Sequence, residues 1–329
     1  GWEAPVEISH PGRNTSCSLH PMVVDQTGKV HIVYRVWWFA PAPDTTPPII
    51  NFVSPTPANN STLNQSYVEI KVSIEEPNLD TLIFNWNGVN YSIYDDSLVL
   101  AMNFNNNSLI GEDTTHVVDI SKYGNDGAIH GATYADGKYG KALRFDGVND
   151  YVDAGRDSSL EVSKYLTVTA WVYPEGAGSG VGDSAGGIIV NKEGEYEIAR
   201  FPDGSFRFAI ANSNPGWRWI NTGLNLPLRE WSFVALTYNS DSGEIAAYVN
   251  DKKYNISGSG LVRDFHPRQD RLWIGGREVL SQYFNGIIDE VRIYNRTLTP
   301  EEIKMLYYST LWKHDATHWC FYANITNLS

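Results

Sequence analysis

Cysteine is scarce in this 329-residue chain, with two residues, Cys17 and Cys320, near opposite ends. Both are expected to form a disulfide, either with each other or between neighbouring chains. Basic residues are also short, with 25 Lys and Arg against 38 Asp and Glu, for a formal charge of −13. That balance argues against nucleic acid or an anionic membrane as the main partner, since each needs a basic face. No apolar run approaches the ~18 residues of a membrane span. The longest, Val30 to Ala40, is broken by His31 and Arg35. Methionine is rare, at three residues. Residue 1 is Gly, and no charged-then-apolar signal segment follows it, so the expectation is a chain processed from a precursor or a recombinant piece.

Apolar residues make up 42 % of the sequence, enough for a sizeable core. Aromatics reach 13 %, and 28 Gly and 16 Pro are spread along the whole length. Together with the lack of Met, this is the profile of an all-β protein. Asn-x-Ser/Thr acceptors occur at Asn14, Asn59, Asn60, Asn64, Asn90, Asn106, Asn255, Asn295, Asn324 and Asn327. Chance would supply roughly 4 from this content of Asn, Ser and Thr. The excess is either a by-product of Asn- and Thr-rich loops or the mark of a glycosylated extracellular protein, and the second accounts for it better.

The chain divides into four parts. Residues 1–43 form a β-patterned head. Met22-Val23-Val24 leads through a Gly-containing turn into Val30 to Phe39, predicting a hairpin. Ala40 to Pro48 is a Pro-rich linker that cannot enter a sheet. In 44–95, Val68, Ile70, Val72 and Ile74 alternate with Tyr67, Glu69, Lys71 and Ser73, as in a half-buried strand. Asn87-Gly88 sits between two further strand patterns, the signal of a tight hairpin. Residues 96–312 give a dozen or so short strands with regular turns, hence a two-sheet sandwich. One helix is signalled there by Thr299, Pro300 and Glu302 as N-cap, first turn and capping box. Residues 313–329 return to strand patterning.

Three resemblances attach to these parts. Trp2 to Ser9, then Pro21 to Asp25 and Val30 to Tyr34, resemble one repeat of a sialidase-type propeller. A propeller needs at least four such blades, so no working sialidase can be built from it. Asp44 to Ile50 and Val53 to Pro57 look like the entry to immunoglobulin-like modules of prokaryotic surface proteins. The series Leu98 to Phe104, Gly137 to Val152, Leu166 to Val172, Trp231 to Asn239 and Ile287 to Ile303 closely resembles the laminin-G-like, concanavalin-A-like jelly-roll family. The resemblance covers about 210 residues. The fold class expected is therefore all-β, a concanavalin-A-like jelly roll plus an incomplete immunoglobulin-like sandwich. The jelly roll would interrupt the module, entering after Tyr94 and leaving near Lys313. The module would then hold about five of the ~7 strands such a fold needs.

Few residues carry chemistry. Retaining glucanases of this shape place two Glu on alternating positions of one strand. Glu193-Gly194-Glu195-Tyr196-Glu197 is the nearest match, but it lacks the intervening Asp and reads as exposed carboxylates beside a hairpin. His314 and His318 read as solvated. The jelly-roll resemblance implies a structural calcium, with Asp119 and Asp289 as ligands and Asp146 as a third. Trp217 and Trp219, flanking Arg218, would share one face of a strand, where they either fill the core or stack on sugars.

These features predict a non-enzymatic extracellular surface glycoprotein with a structural or adhesive role; the alternative is a carbohydrate-binding module of a larger secreted protein. The incomplete module and the homeless strand Val30, Ile32, Tyr34, Val36 and Trp38 further predict self-association. The Pro-rich tether would hold this strand away from its own module, so that it completes a neighbouring copy and builds a filament. Expected partners are therefore other copies of the chain and glycans.

Overall fold

The computed structural model describes residues 22–24, 30–38, 46–180, 186–264, 271–277 and 281–326; for the first two stretches the backbone alone is described. Strands dominate, as the composition requires, and the single α-helix among the described residues is Pro300–Tyr308. Its start follows the sequence signal: Thr299 Oγ1 accepts from Glu302 N at 3.2 Å and Thr299 N donates to Glu302 Oε2 at 2.8 Å.

The larger body is a jelly-roll sandwich of two eight-stranded sheets. The front sheet runs, in spatial order, Ile220–Asn225, Ser205–Ile210, Tyr196–Arg200, Gly187–Lys192, Leu272–Ile274, Tyr151–Asp153, Gly127–His130 and His116–Val117. The back sheet runs Thr133–Asp136, Lys141–Asp146, Asn285–Tyr294, Tyr165–Pro174, Ser232–Asn239, Glu244–Val249 and Lys252–Ser257. Its eighth strand, Leu98–Met102, shares one side of Asn285–Tyr294 with Lys141–Asp146. The changeover falls at a bulge around Asp289 and Glu290, where Glu290 takes φ 52°. The core between the sheets is apolar, with Val168, Val190, Ile198, Phe208, Leu236 and Ile288 each at 0–1 % exposure.

The two faces of the back sheet explain its sequence. Leu166 to Val172 is buried throughout, because the outer face is covered too. Trp171, Phe233, Ala235 and Tyr248 pack there against Leu298, Ile303 and Met305 and join a second core. That core belongs to a smaller sandwich of two four-stranded sheets, one of Met22–Val24, Val30–Trp38, Leu79–Trp86 and Val89–Tyr94, the other of Ser309–Lys313, His318–Thr326, Tyr67–Glu75 and Ile49–Val53. Val68, Ile70, Val72 and Ile74 are fully buried between them, beside Phe321 of the same sheet and facing Leu82 and Phe84 of the other. The Asn87-Gly88 turn has φ of 52° and 80°, the left-handed pair that closes a two-residue hairpin.

Three expectations change here. The strand Val30–Trp38 is not homeless. It pairs antiparallel with Leu79–Trp86 of its own chain, with Tyr34 opposite Phe84, Val36 opposite Leu82 and Trp38 opposite Leu79, while Val33 faces Asn85. Val30 and Ile32 pair with Val24 and Met22 in the head hairpin. The head thus supplies two strands of the small sandwich. The small sandwich therefore counts eight strands, not five. Its returning segment begins with Ser309–Lys313, so the strand starts four residues before the expected boundary at 313.

Candidate binding face of the front sheet

The outward row of the front sheet is buried at its centre, where the short hairpin of Gly276–Arg277 and Gln282–Tyr283 packs against Gly187–Lys192. Period-two alternation builds it: while Val190, Ile198 and Phe208 enter the core, their neighbours turn outward. One cross-strand row runs Ala128, Asp153, Trp273, Asn191, Glu197 and Ala209.

Polar residues at its centre are held by Arg277. The guanidinium grips Glu193 with two bonds, Nε to Oε2 at 2.6 Å and Nη2 to Oε1 at 2.8 Å. Its Nη1 reaches Glu197 Oε1 at 3.3 Å and Gln282 Oε1 at 3.1 Å. Asn191 Nδ2 donates to Glu197 Oε2 at 3.0 Å. Glu193, Glu197 and Arg277 are only 2–5 % exposed, so this is a buried ion cluster. Arg277 carries one charge against two carboxylates. Burial, with repulsion from Glu193, pushes Glu197 up to about 8 against the pull of Arg277 and Asn191. Glu197 therefore holds its proton at neutral pH. Nearby, Lys192 and Glu195 form a separate buried pair at 2.7 Å, and burial pushes Glu195 up to about 7.

Aromatic groups flank this centre. On one side His130, Tyr151 and Trp273 stack across three strands, with ring centroids 4.4 Å and 3.8 Å apart. On the other, Trp219 meets Phe201 edge-on at 5.0 Å, and Arg207 lies 4.0 Å over the Phe201 ring. Above the centre, the half-exposed Trp217 has its ring 5.9 Å from the Arg277 guanidinium. The seven strands from Gly127–His130 to Ile220–Asn225 make the face roughly 29 Å wide.

The expected site residues are distributed differently from their prediction. Trp217 and Trp219 do border this centre, beside Arg277 and Phe201, but not from one strand. Pro215 and Gly216, at φ 82°, break the chain before Ile220, so both Trp lie on the loop leading into the strand. Glu193, Glu195 and Glu197 are buried, not exposed, because Arg277 and Lys192 neutralise and cover them. Arg277 is 80 residues beyond Glu197, and no local spacing announces it.

The three candidate calcium ligands are not brought together. Asp119 closes its turn and ties it to the next strand, accepting from Ser121 N, Asn125 N and Ala101 N at 2.8–2.9 Å. Asp146 caps its own Asp-Gly turn through Val148 N at 2.7 Å. Asp289 lies fully buried at the bulge, where Oδ2 accepts from Tyr139 N at 3.0 Å. Burial and Glu290 push its carboxyl well above the ordinary range. Among the described residues no group of three or more His, Cys, Asp or Glu could hold a metal.

Cys320 is a free thiol, buried in the small sandwich and pushed up to about 11 by that burial. Cys17, Asn14 and Asn327 lie outside the described residues. His318 is held by Asp315, with Nδ1 2.9 Å from Oδ1, at the start of the last strand. A crevice of about 520 Å³ separates the two sandwiches. It is bridged by Lys122, which pairs with Asp80 and Asp96, and its walls join the modules; the aromatic and ionic groups described above lie elsewhere.

This architecture is a concanavalin-A-like jelly-roll sandwich joined to a second β-sandwich. Residues 146–304 match the laminin-G-type family described as the concanavalin A-like lectin/glucanases superfamily. Among curated proteins, human adhesion G-protein coupled receptor D1 is 36 % identical over 86 residues, which are 26 % of this chain and 10 % of that protein. This chain thus spans about a tenth of the relative it matches. Among solved structures, domain 4 of AbnA, a GH43 extracellular arabinanase from Geobacillus stearothermophilus in complex with arabinotriose, is 22 % identical. It aligns over 64 % of this chain and 98 % of its own, with a TM-score of 0.48. The binding domain of Paraclostridial Mosquitocidal Protein 1 is 18 % identical over 65 % of this chain and 52 % of its own, also at 0.48. No helix among the described residues is long and apolar enough to cross a membrane.

Proposed function

We propose that this chain is a non-enzymatic adhesive part of an extracellular surface glycoprotein, and that the front face of its jelly roll binds carbohydrate. The observation that carries this is the outward row of the front sheet, a buried and fixed ionic centre flanked by partly exposed aromatic rings. Aromatic faces suit the apolar side of a sugar ring, and fixed polar groups suit its hydroxyls. The buried centre supplies rigidity: an Arg locked by two Glu cannot collapse onto the rings around it. Hydrolysis is disfavoured by the same geometry. The two carboxylates suited to acid and base roles, Glu193 and Glu197, are turned onto Arg277 beneath the surface, away from any bound glycosidic bond. The net charge of −13 favours neutral over acidic glycans. An array of neutral oligosaccharides tests the proposal. Saturable binding without cleavage is expected, weakened at least tenfold by Trp217→Ala with the melting temperature unchanged. Absence of binding across the array, or release of shortened sugars, would contradict it.

An assembly role has its own support. The strand Val30–Trp38 is joined to its module by the Pro-rich tether and lies second from the edge of its sheet. A strand held in this way can be exchanged for that of another copy, giving a filament without new contacts. Light scattering of the full chain distinguishes the two states: polymers that vanish on deleting residues 1–43 support exchange, and a monomer at all concentrations refutes it.

A further inference from the structure

We infer that N-linked oligosaccharide is carried at Asn64, Asn90, Asn106, Asn255, Asn295 and one of the pair Asn59/Asn60, that Asn324 stays bare, and that no glycan touches the front sheet. Eight acceptors lie within the described residues, and seven of them are exposed. Asn60 and Asn106 sit in left-handed turns, with φ of 62° and 54°. Asn90 lies on an edge strand and accepts at Oδ1 from Asn85, at 2.6 Å, so its own amide nitrogen points to no bond in that pair. Asn255 is on the outermost strand of the back sheet, paired with Ala246. Asn59 and Asn60 are adjacent, and two bulky substituents on consecutive residues exclude each other.

Asn324 differs from all of these. It is half-buried, pairs with Glu69 in the middle of a sheet, has a buried Oδ1 and hydrogen-bonds the Tyr322 hydroxyl. Attachment needs the amide nitrogen to reach a bulky co-reactant. That nitrogen forms a bond to the anomeric carbon of a phosphate-linked lipid oligosaccharide, the carbon–oxygen bond to phosphate breaks, and the amide gives up one proton. A side chain woven into a paired strand cannot present itself so.

The placement of acceptors is one-sided. The chain has 27 Asn, and the ten from Asn107 to Asn250 include none of its ten acceptors. This stretch supplies seven of the eight front strands, and the remaining one, Leu272–Ile274, contains no Asn. The acceptors instead decorate the small sandwich and the rim of the back sheet. Glycans there would leave the front face as bare protein, which is what a docking face needs; this consequence rests on the carbohydrate-binding proposal, whereas the occupancy pattern does not.

Glycopeptide mass spectrometry of the secreted protein from its own cells decides the pattern. Modification at the six positions, with an unmodified Asn324 peptide, is expected. A glycan on Asn324, or no glycan at the exposed acceptors, overturns it. A second arm tests the consequence. Asp203→Asn turns Asp203-Gly204-Ser205 into an acceptor on the hairpin beside Arg207, which Asp203 pairs at 2.8 Å. The glycosylated variant should lose binding to the neutral array at least tenfold. Enzymatic removal of the glycan leaves aspartate at the linkage, and should restore it. Unchanged binding with the glycan in place means the bare face is not the docking face, while an array silent for the unaltered protein defeats the binding proposal and leaves the occupancy map standing.

Discussion

Arg277 is the residue on which the front face depends. It is buried with two carboxylates, and removing it would leave that buried pair without its countercharge. Breaking a buried pair in this way costs about 3–5 kcal/mol, so Arg277→Ala is expected to lower the midpoint of urea denaturation strongly. An unchanged midpoint would mean that the cluster is open to water. Glu197 gives a pH signature. Its carboxyl is pushed up to about 8 in the folded chain against an ordinary value of 4.5, so the folded state binds the extra proton between these limits. Stability from this group is therefore greatest below pH 4.5 and falls as pH rises to about 8. Glu195, pushed up to about 7, adds a fall of the same sign ending one unit earlier. Melting curves should show Glu197→Gln losing part of this decline and gaining on the unaltered protein at pH 8; parallel profiles would show that Glu197 is ionised throughout. None of this was legible locally. The Glu-Gly-Glu-Tyr-Glu run was visible as a set of carboxylates, but its meaning depends on an Arg brought in by sheet closure.

Elements with strong local chemistry were legible, and those fixed by distant pairing were not. The capping box at Thr299, the Asn87-Gly88 hairpin and the alternation from Tyr67 to Ser73 all follow from rules spanning a few residues. The head strand does not: its apolar pattern showed that it needed cover, yet nothing in residues 30–38 says whether that cover is its own chain or another. Register with Leu79–Trp86 supplies the answer for the single chain. Deleting residues 1–43 strips Leu79–Trp86 of its paired neighbour. The expected outcome is a lowered melting temperature. A truncated chain as stable as the full one would mean that the head strand contributes nothing to the small sandwich.

At the scale of the whole molecule, the two sandwiches divide the work. The back sheet spends its outer face on the second core, through Trp171, Phe233 and Tyr248, and the bridge of Lys122 to Asp80 and Asp96 fixes the join. The front sheet lies on the side of the jelly roll away from that core, and its strands carry no acceptor. The composition already pointed to an extracellular all-β chain, but which sheet faces outward depends on a packing partner assembled from both ends of the sequence. Hydrogen–deuterium exchange with and without a neutral oligosaccharide selected from the array locates the binding face directly. Slowed exchange is predicted in the segments 187–200, 205–220 and 272–277, with the segments 232–257 and 67–86 unchanged. Protection confined to the back sheet or the small sandwich, with the front strands unaffected, would contradict the account.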